Sequence, residues 1–439
     1  MSSLIRMFNE LVGPAAVIAA GTMGAGAVAS LILAGAWFRY DLLWVVLFML
    51  PIFVIAVDSS SRIGSVNHGE GMMSIVRRHI HPSVAWFFLA INVPVHILVA
   101  MGQFSVMSSA FLSLWGLHPP GIESTPQQVD TYLKFEVGTS IGLGVLVLWL
   151  VLSQGYDRMQ RAMTAMMVVM FFCFLLIALR SFGEIGAILG GYVPSIPADL
   201  PVPGTDSVRM STSSIISIVG AAIAPGALLA IPYLSSDSGS DASSLKRDLR
   251  KSVINLGFIF GAYAMFILIA GGFALFPLQE HANIETVHAA GQVLTFAFPS
   301  AVAFLGPPIF TFGLFIAAMT TLVICVQVII YLSLDMFGEN WTYTSDNVLF
   351  RRWLVVVTLV SAVLAPVWTF PALLKVILLM GVNVLIIPMV IVAMIYLLNR
   401  RSVMGEHTAG FWRNLMLVLC LVVSVVLAVD KLPDYLAMF

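Results

Sequence analysis

Apolar residues run through this chain in eleven long stretches, near 12–37, 42–66, 84–114, 138–155, 161–181, 212–234, 252–277, 294–336, 352–368, 370–398 and 411–430. Short polar segments separate them. A helix that crosses the hydrocarbon core of a bilayer needs about 20 apolar residues. The pattern therefore predicts an all-α integral membrane protein with about 11 transmembrane helices. The third and eighth stretches exceed one crossing and are expected to tilt or to continue into solvent as helix.

Two of the stretches are interrupted. The first contains Gly21-Thr22-Met23-Gly24-Ala25-Gly26-Ala27. Glycines inside a helix cost about 1 kcal/mol each against alanine. Backbone freed from a helix at membrane depth survives only where protein or a cavity meets it. The sixth contains Ala224-Pro225-Gly226, where proline removes a donor and clashes with the preceding turn. Interrupted segments at corresponding places in two halves point to a transporter's binding site. Close packing of small residues is the alternative at the first glycine run. Taken as breaks, the two positions divide a single transmembrane transporter domain, 1–439, into repeat one (about 12–181), repeat two (about 212–398) and an extra helix (411–430). In an inverted repeat both breaks lie at one depth.

Composition narrows the function. The 439 residues are 60% hydrophobic and 10% charged, whereas soluble domains carry about 25% charged residues. No large soluble domain fits between the stretches. The short start, 1–10, runs straight into the first stretch, so no cleavable signal is expected. Nothing resembles a nucleotide-binding loop, which argues against an ATP-driven pump, and no enzyme activity, cofactor or nucleic-acid partner is expected. Cys173, Cys325 and Cys420 lie in apolar runs without metal-site spacing and read as core residues. With the N-terminus placed in the cytoplasm, fifteen of the 21 Lys and Arg residues fall on the cytoplasmic side. That suits a bacterial inner membrane. The loop 181–210 is rich in Pro and Gly and is expected to pack over the helices.

Several short motifs then resemble one family. Gly13-Pro14-Ala15, Ala34-Gly35-Ala36 and Tyr40-Asp41-Leu42-Leu43-Trp44-Val45-Val46-Leu47 resemble the opening of the NRAMP (natural resistance-associated macrophage protein) divalent-metal transporters. So do Ser61-Arg62-Ile63-Gly64, Tyr192-Val193-Pro194-Ser195-Ile196-Pro197, Gly313-Leu314 and Met404-Gly405-Glu406. The resemblance implies the leucine-transporter-type fold, with two inverted five-helix repeats, broken helices 1 and 6, and alternating access. It also exposes departures. The family's Asp-Pro-Gly-Asn in the first helix corresponds to Gly24-Ala25-Gly26-Ala27 here, and its Met-Pro-His in the sixth to Ala224-Pro225-Gly226. A glutamine often found in the tenth helix falls at Gly381. A buried divalent ion needs strongly coordinating ligands, and the breaks supply none.

The candidate substrate site is therefore Met23, Gly24, Ala25, Gly26, Ala27, Ala224, Pro225, Gly226, Gly381 and Asn383. It holds no predicted metal ligand. The positive end of the half-helix after Gly26 suits a carboxylate or another small anion. His96, in mid-span, is the candidate proton relay if the coupling ion is a proton; the alternative is a histidine bonded to a carbonyl within the bundle. Lys375 is a candidate vestibule charge, or else a lysine reaching for the headgroups. Asp58 with Ser59, Ser60 and Ser61 reads as a solvated helix end. The expected function is secondary transport of a small polar or anionic solute. The first alternative is a hydrated, magnesium-like divalent cation. The second is a receptor or scaffold that keeps the fold without transport.

Overall fold

The computed structural model describes residues 21–117, 119–120, 125–153, 156–201, 208–276, 295, 298–344, 346–368 and 372–436. Motif residues Gly13, Pro14 and Ala15 and the first half of the first span lie outside them. Among the described residues ten helical segments are long and apolar enough to cross a membrane, and Ala25–Phe38 is a shorter apolar helix. We number the helices α1 (Ala25–Phe38), α2 (Leu43–Val66), α3 (Met72–His79), α4 (Pro82–Leu114), α5 (Pro126–Ser153), α6 (Tyr156–Ala178) and α7 (Ile185–Gly190). There follow α8 (Ser211–Ala222), α9 (Pro225–Asp237), α10 (Leu245–Ser252), α11 (Gly261–Ala274), α12 (Gly306–Met336), α13 (Val348–Leu364), α14 (Ala372–Leu398), α15 (Arg401–Met404) and α16 (Phe411–Leu436). A π-helical stretch, Val253–Phe260, joins α10 to α11.

The breaks fall where the glycines and the proline sit. The chain bends at Met23 and Gly24 before α1 begins. It is extended at Ala224 between α8 and α9, with Pro225 at the first helical position. Two expected boundaries shift. The fourth span begins at Pro126 rather than near 138, because its polar first turns continue the helix and carry an Asp130–Lys134 ion pair at 2.6 Å. The fifth ends at Ala178, and a 3-10 turn and α7 then occupy the start of the expected loop.

The center is built from α1, α4, α8, α12 and α14. α4 and α12 run along each other, and α1 packs against α11. There Gly35 and Gly271 let the two backbones meet, since a Cβ on either would strike a carbonyl oxygen of the other helix. Ser30 on α1 bonds Ser217 on α8 at 2.5 Å. α16 lies at the periphery and leaves Val425, Val426 and Val429 exposed, as a lipid-facing helix does.

Two polar clusters close the ends. At the end that holds Arg77 and Arg78 of α3 and Arg351 and Arg352 of α13, Asp335 of α12 is buried and accepts from Ser74 Oγ (2.5 Å), Ser74 N (3.1 Å) and Tyr233 Oη (2.6 Å). This ties α3, α9 and α12 together. Asp58, read from the sequence as solvated, is 1% exposed. The ion pairs at Asp58 Oδ2, Arg413 at 2.6 Å and Arg62 at 3.5 Å, explain the burial. At the other end Glu184 meets Arg39 (3.0 Å) and Tyr40 (2.6 Å). The loop after α7 docks there, with Trp44 Nε1 donating to Ser195 O at 2.9 Å, as its Pro- and Gly-rich sequence implied.

Candidate functional site

Neither half-helix that starts at a break has a side-chain cap: the N-cap positions are Gly24 for α1 and Ala224 for α9. The missing side chains have a steric cause. A Cβ on Gly24 would collide with Thr321 of α12, whose hydroxyl donates to Gly21 O. A Cβ on Gly26 would lie 2.8 Å from Met380 Cγ and 3.2 Å from its sulfur. A Cβ on Gly226 would land on the imidazole of His96. Side chains from α4, α12 and α14 thus occupy the space in front of both breaks.

Between them lies a cavity of about 40 Å³ for water-sized occupants. The described lining residues with side-chain N, O or S atoms are Thr22 beside the first break, His96 and Gln103 of α4, Thr321 and Cys325 of α12, and Met380 and Asn383 of α14. Among the described residues no Asp, Glu, Lys or Arg lines it. Among the described residues no group of three or more His, Cys, Asp or Glu could hold a metal ion. A second cavity of about 20 Å³, sharing Ala27 and Ala221, is lined by apolar side chains among the described residues.

The polar groups in the larger cavity are oriented. His96 Nδ1 lies 2.8 Å from Asn92 O. A carbonyl only accepts, so Nδ1 carries the proton, and in the neutral ring Nε2 keeps its lone pair. The carbonyl bond weighed as an alternative for His96 is therefore present, and the ring lines the cavity as well. Asn383 donates through Nδ2 to Gly220 O at 3.4 Å, while its Oδ1 is buried without a protein hydrogen bond. Both amide atoms of Gln103 are in the same condition. Such groups cost about 1–3 kcal/mol each when nothing meets them.

Gly24, Gly26, Ala27, Ala224, Asn383 and His96 of the expected site line this cavity. Gly226 stands behind the His96 ring. Met23, Ala25, Pro225 and Gly381 are not among the lining residues. Neither is Lys375, which is 2% exposed and donates to Ser105 Oγ (2.8 Å) and Ala365 O (3.2 Å), with its Nζ 5.5 Å from the Trp368 ring center. The structure gives it a helix-joining place instead of a vestibule. Thr321, Gln103 and Met380 are not among the residues the sequence singles out, and Cys325, which reads there as a core residue, lines the cavity. Gln103 is seven residues from His96 and so shares its face, a readable signal. Thr321 lies in an apolar run of α12 and carries no such signal.

The architecture matches solved transporters. The crystal structure of the Eremococcus coleocola manganese transporter in complex with an aromatic bis-isothiourea substituted compound superposes with a TM-score of 0.72 at 17% identity, covering 98% of this chain and 87% of that one. The crystal structure of MhsT in complex with L-phenylalanine gives 0.62 at 13% identity over 97% and 98%. At these identities the likeness shows the fold, the leucine-transporter type with broken first and sixth helices. By sequence the chain is similar to the divalent metal cation transporter MntH of Levilactobacillus brevis, 26% identical over 253 residues (56% of this chain, 48% of that protein). It is also similar to MntH of Pediococcus pentosaceus, 25% identical over 218 residues (48% and 42%). The chain thus spans about half the length of the curated relatives it matches. A family model described as natural resistance-associated macrophage protein-like matches residues 15–432, so this integral membrane protein belongs to that family.

Proposed function

We propose that the chain is a secondary transporter that carries a divalent metal cation between its two broken helices by alternating access. The cavity carries this reading. A water-sized occupant takes about 10–15 Å³ by the same measure, so about 40 Å³ admits an ion with one or two waters and not an amino acid. Buried amide oxygens without protein partners suit a cation. The matched relatives are named as divalent metal cation transporters. The sequence reading put a small polar or anionic solute first, because the breaks had lost their side-chain ligands. The side chains now seen in front of the breaks reverse that order. Repeats at about 12–181 and 212–398, a cytoplasmic N-terminus and a bacterial inner membrane belong to the same proposal.

One observation favors a small anion as a second reading: two uncapped half-helix starts flank the cavity, and their N–H groups suit an anion. Proteoliposome uptake separates the two. The panel is Mg²⁺, Ca²⁺, Mn²⁺, Co²⁺ and Cd²⁺ against amino acids and small carboxylates. Saturable flux of a divalent ion supports the proposal. Flux of a carboxylate or an amino acid, with none of any divalent ion, overturns it.

A further inference from the structure

We propose that the cation is held by a neutral nitrogen, sulfur and oxygen set, with His96 Nε2, Met380 Sδ and Asn383 Oδ1 as direct ligands, and that this set selects borderline-soft divalent ions over magnesium. The inference rests on the divalent-cation reading and assigns its ligands. His96 is held within α4 and against α9, and Met380 and Asn383 are held together on α14. The Asn92 carbonyl fixes the His96 tautomer, and the close approach of Gly226 seats the ring. That arrangement, a proton held by a backbone carbonyl on one nitrogen and a lone pair on the other, is the usual state of a metal-binding imidazole. Met380 and Asn383 are three residues apart on α14 and share a face. Asn383 Nδ2 lies 3.9 Å from Met380 Sδ and bonds Gly220 O, which leaves Oδ1 as the unpartnered atom of that amide.

All three side chains line the one small cavity, so donors from α4 and α14 can meet one occupant. Gln103 sits seven residues along α4 from His96, about 10 Å of helix rise. That is too far for the same ion without a bridge, so Gln103 is assigned to a water that the ion retains.

Selectivity follows from the absence of charge. Magnesium dehydrates reluctantly and is ordinarily bound through carboxylates or phosphates, and the described residues of this wall supply no carboxylate. Imidazole and thioether donors favor later transition metals and their soft relatives. α9 carries Gly226 with no side chain, and the neighboring α4 supplies the imidazole at that place. The site is rebuilt from the scaffold helices.

The test uses the purified full chain in nanodiscs, with Cd²⁺ and Mg²⁺ calorimetry and pulsed electron paramagnetic resonance of bound Mn²⁺. The parent is expected to bind Cd²⁺ more tightly than Mg²⁺. His96→Ala and Met380→Leu should each weaken Cd²⁺ by roughly 10–100-fold, the range found even for outer partners of metal ligands, with Mg²⁺ changed far less. Nitrogen modulation on bound Mn²⁺ should be present in the parent and absent in His96→Gln. Met380→Leu conserves volume and keeps the test open if the His96 variants fail to fold. Divalent binding by the parent without nitrogen modulation, or with unchanged Cd²⁺ affinity in these variants, overturns this assignment while the cation reading stands. Tighter binding of Mg²⁺ than Cd²⁺ overturns the selectivity. No binding or flux of any divalent ion overturns both.

Discussion

Two buried polar regions of this protein differ in how their groups are satisfied. At Asp335 a carboxylate collects three hydrogen bonds from three places, Ser74 Oγ, Ser74 N and Tyr233 Oη. In the central cavity the amides of Gln103 and Asn383 keep atoms that no protein group meets. Both regions are shut away from solvent to the same degree. Burial alone therefore does not distinguish structure from function. A buried polar group whose partners are all protein joins elements, whereas the amides of Gln103 and Asn383 line space that a ligand or water can fill.

The contrast is broken or sharpened by substitution. Asp335→Ala should have the largest effect, because it strands Tyr233 Oη and Ser74. A stability loss of about 3 kcal/mol is expected, with Cd²⁺ affinity of the folded protein within about twofold because the two regions share no partner. Equilibrium unfolding in detergent beside calorimetry measures both. An unchanged unfolding midpoint would remove Asp335 from the structural side of the comparison.

Gly226→Ala comes next. The new methyl meets the His96 ring, and overpacking of this kind costs about 1–3 kcal/mol. Cation affinity should fall with stability. The double variant Gly226→Ala with His96→Ala should recover stability but not affinity. Additive stability losses in the pair would mean that the ring and the glycine do not share that space.

Gln103→Leu is expected to leave stability unchanged or raise it by about 1 kcal/mol, since it deletes two amide atoms that nothing meets. Uptake of the cation should slow. A destabilised Gln103→Leu with normal uptake would move this residue into the same class as Asp335.

Lys375→Met carries the smallest effect. Ser105 Oγ already donates to Ala365 O at 3.2 Å, so that carbonyl keeps a partner when the ammonium is removed. Stability should change by about 1 kcal/mol or less and cation affinity by about twofold or less. A tenfold change in affinity would restore the vestibule role expected from the sequence.

The helices and their breaks were legible because their causes are local. A run of some 20 apolar residues is helical in a bilayer whatever surrounds it, since its backbone groups must bond within the segment. Glycines at 21, 24 and 26 and Pro225 interrupt a helix through their own stereochemistry. His96 and Asn383 stood out as polar residues in apolar runs. The sequence by itself therefore determined the span pattern, the location of both breaks and part of the cavity wall.

What fills the space before the breaks depends on which helices the fold brings together, and only the tertiary structure decided that. Read along the chain, Gly24, Gly26 and Gly226 looked like ligands lost. In three dimensions they are clearances for Thr321, Met380 and His96, the first two from helices about 300 and about 350 residues away. The same holds for the charges. Asp58 looked solvated until α16 delivered Arg413, and Lys375 looked directed at the site until α4 offered Ser105. A side chain's role follows from its partners, and partners distant in sequence meet only when the bundle is packed.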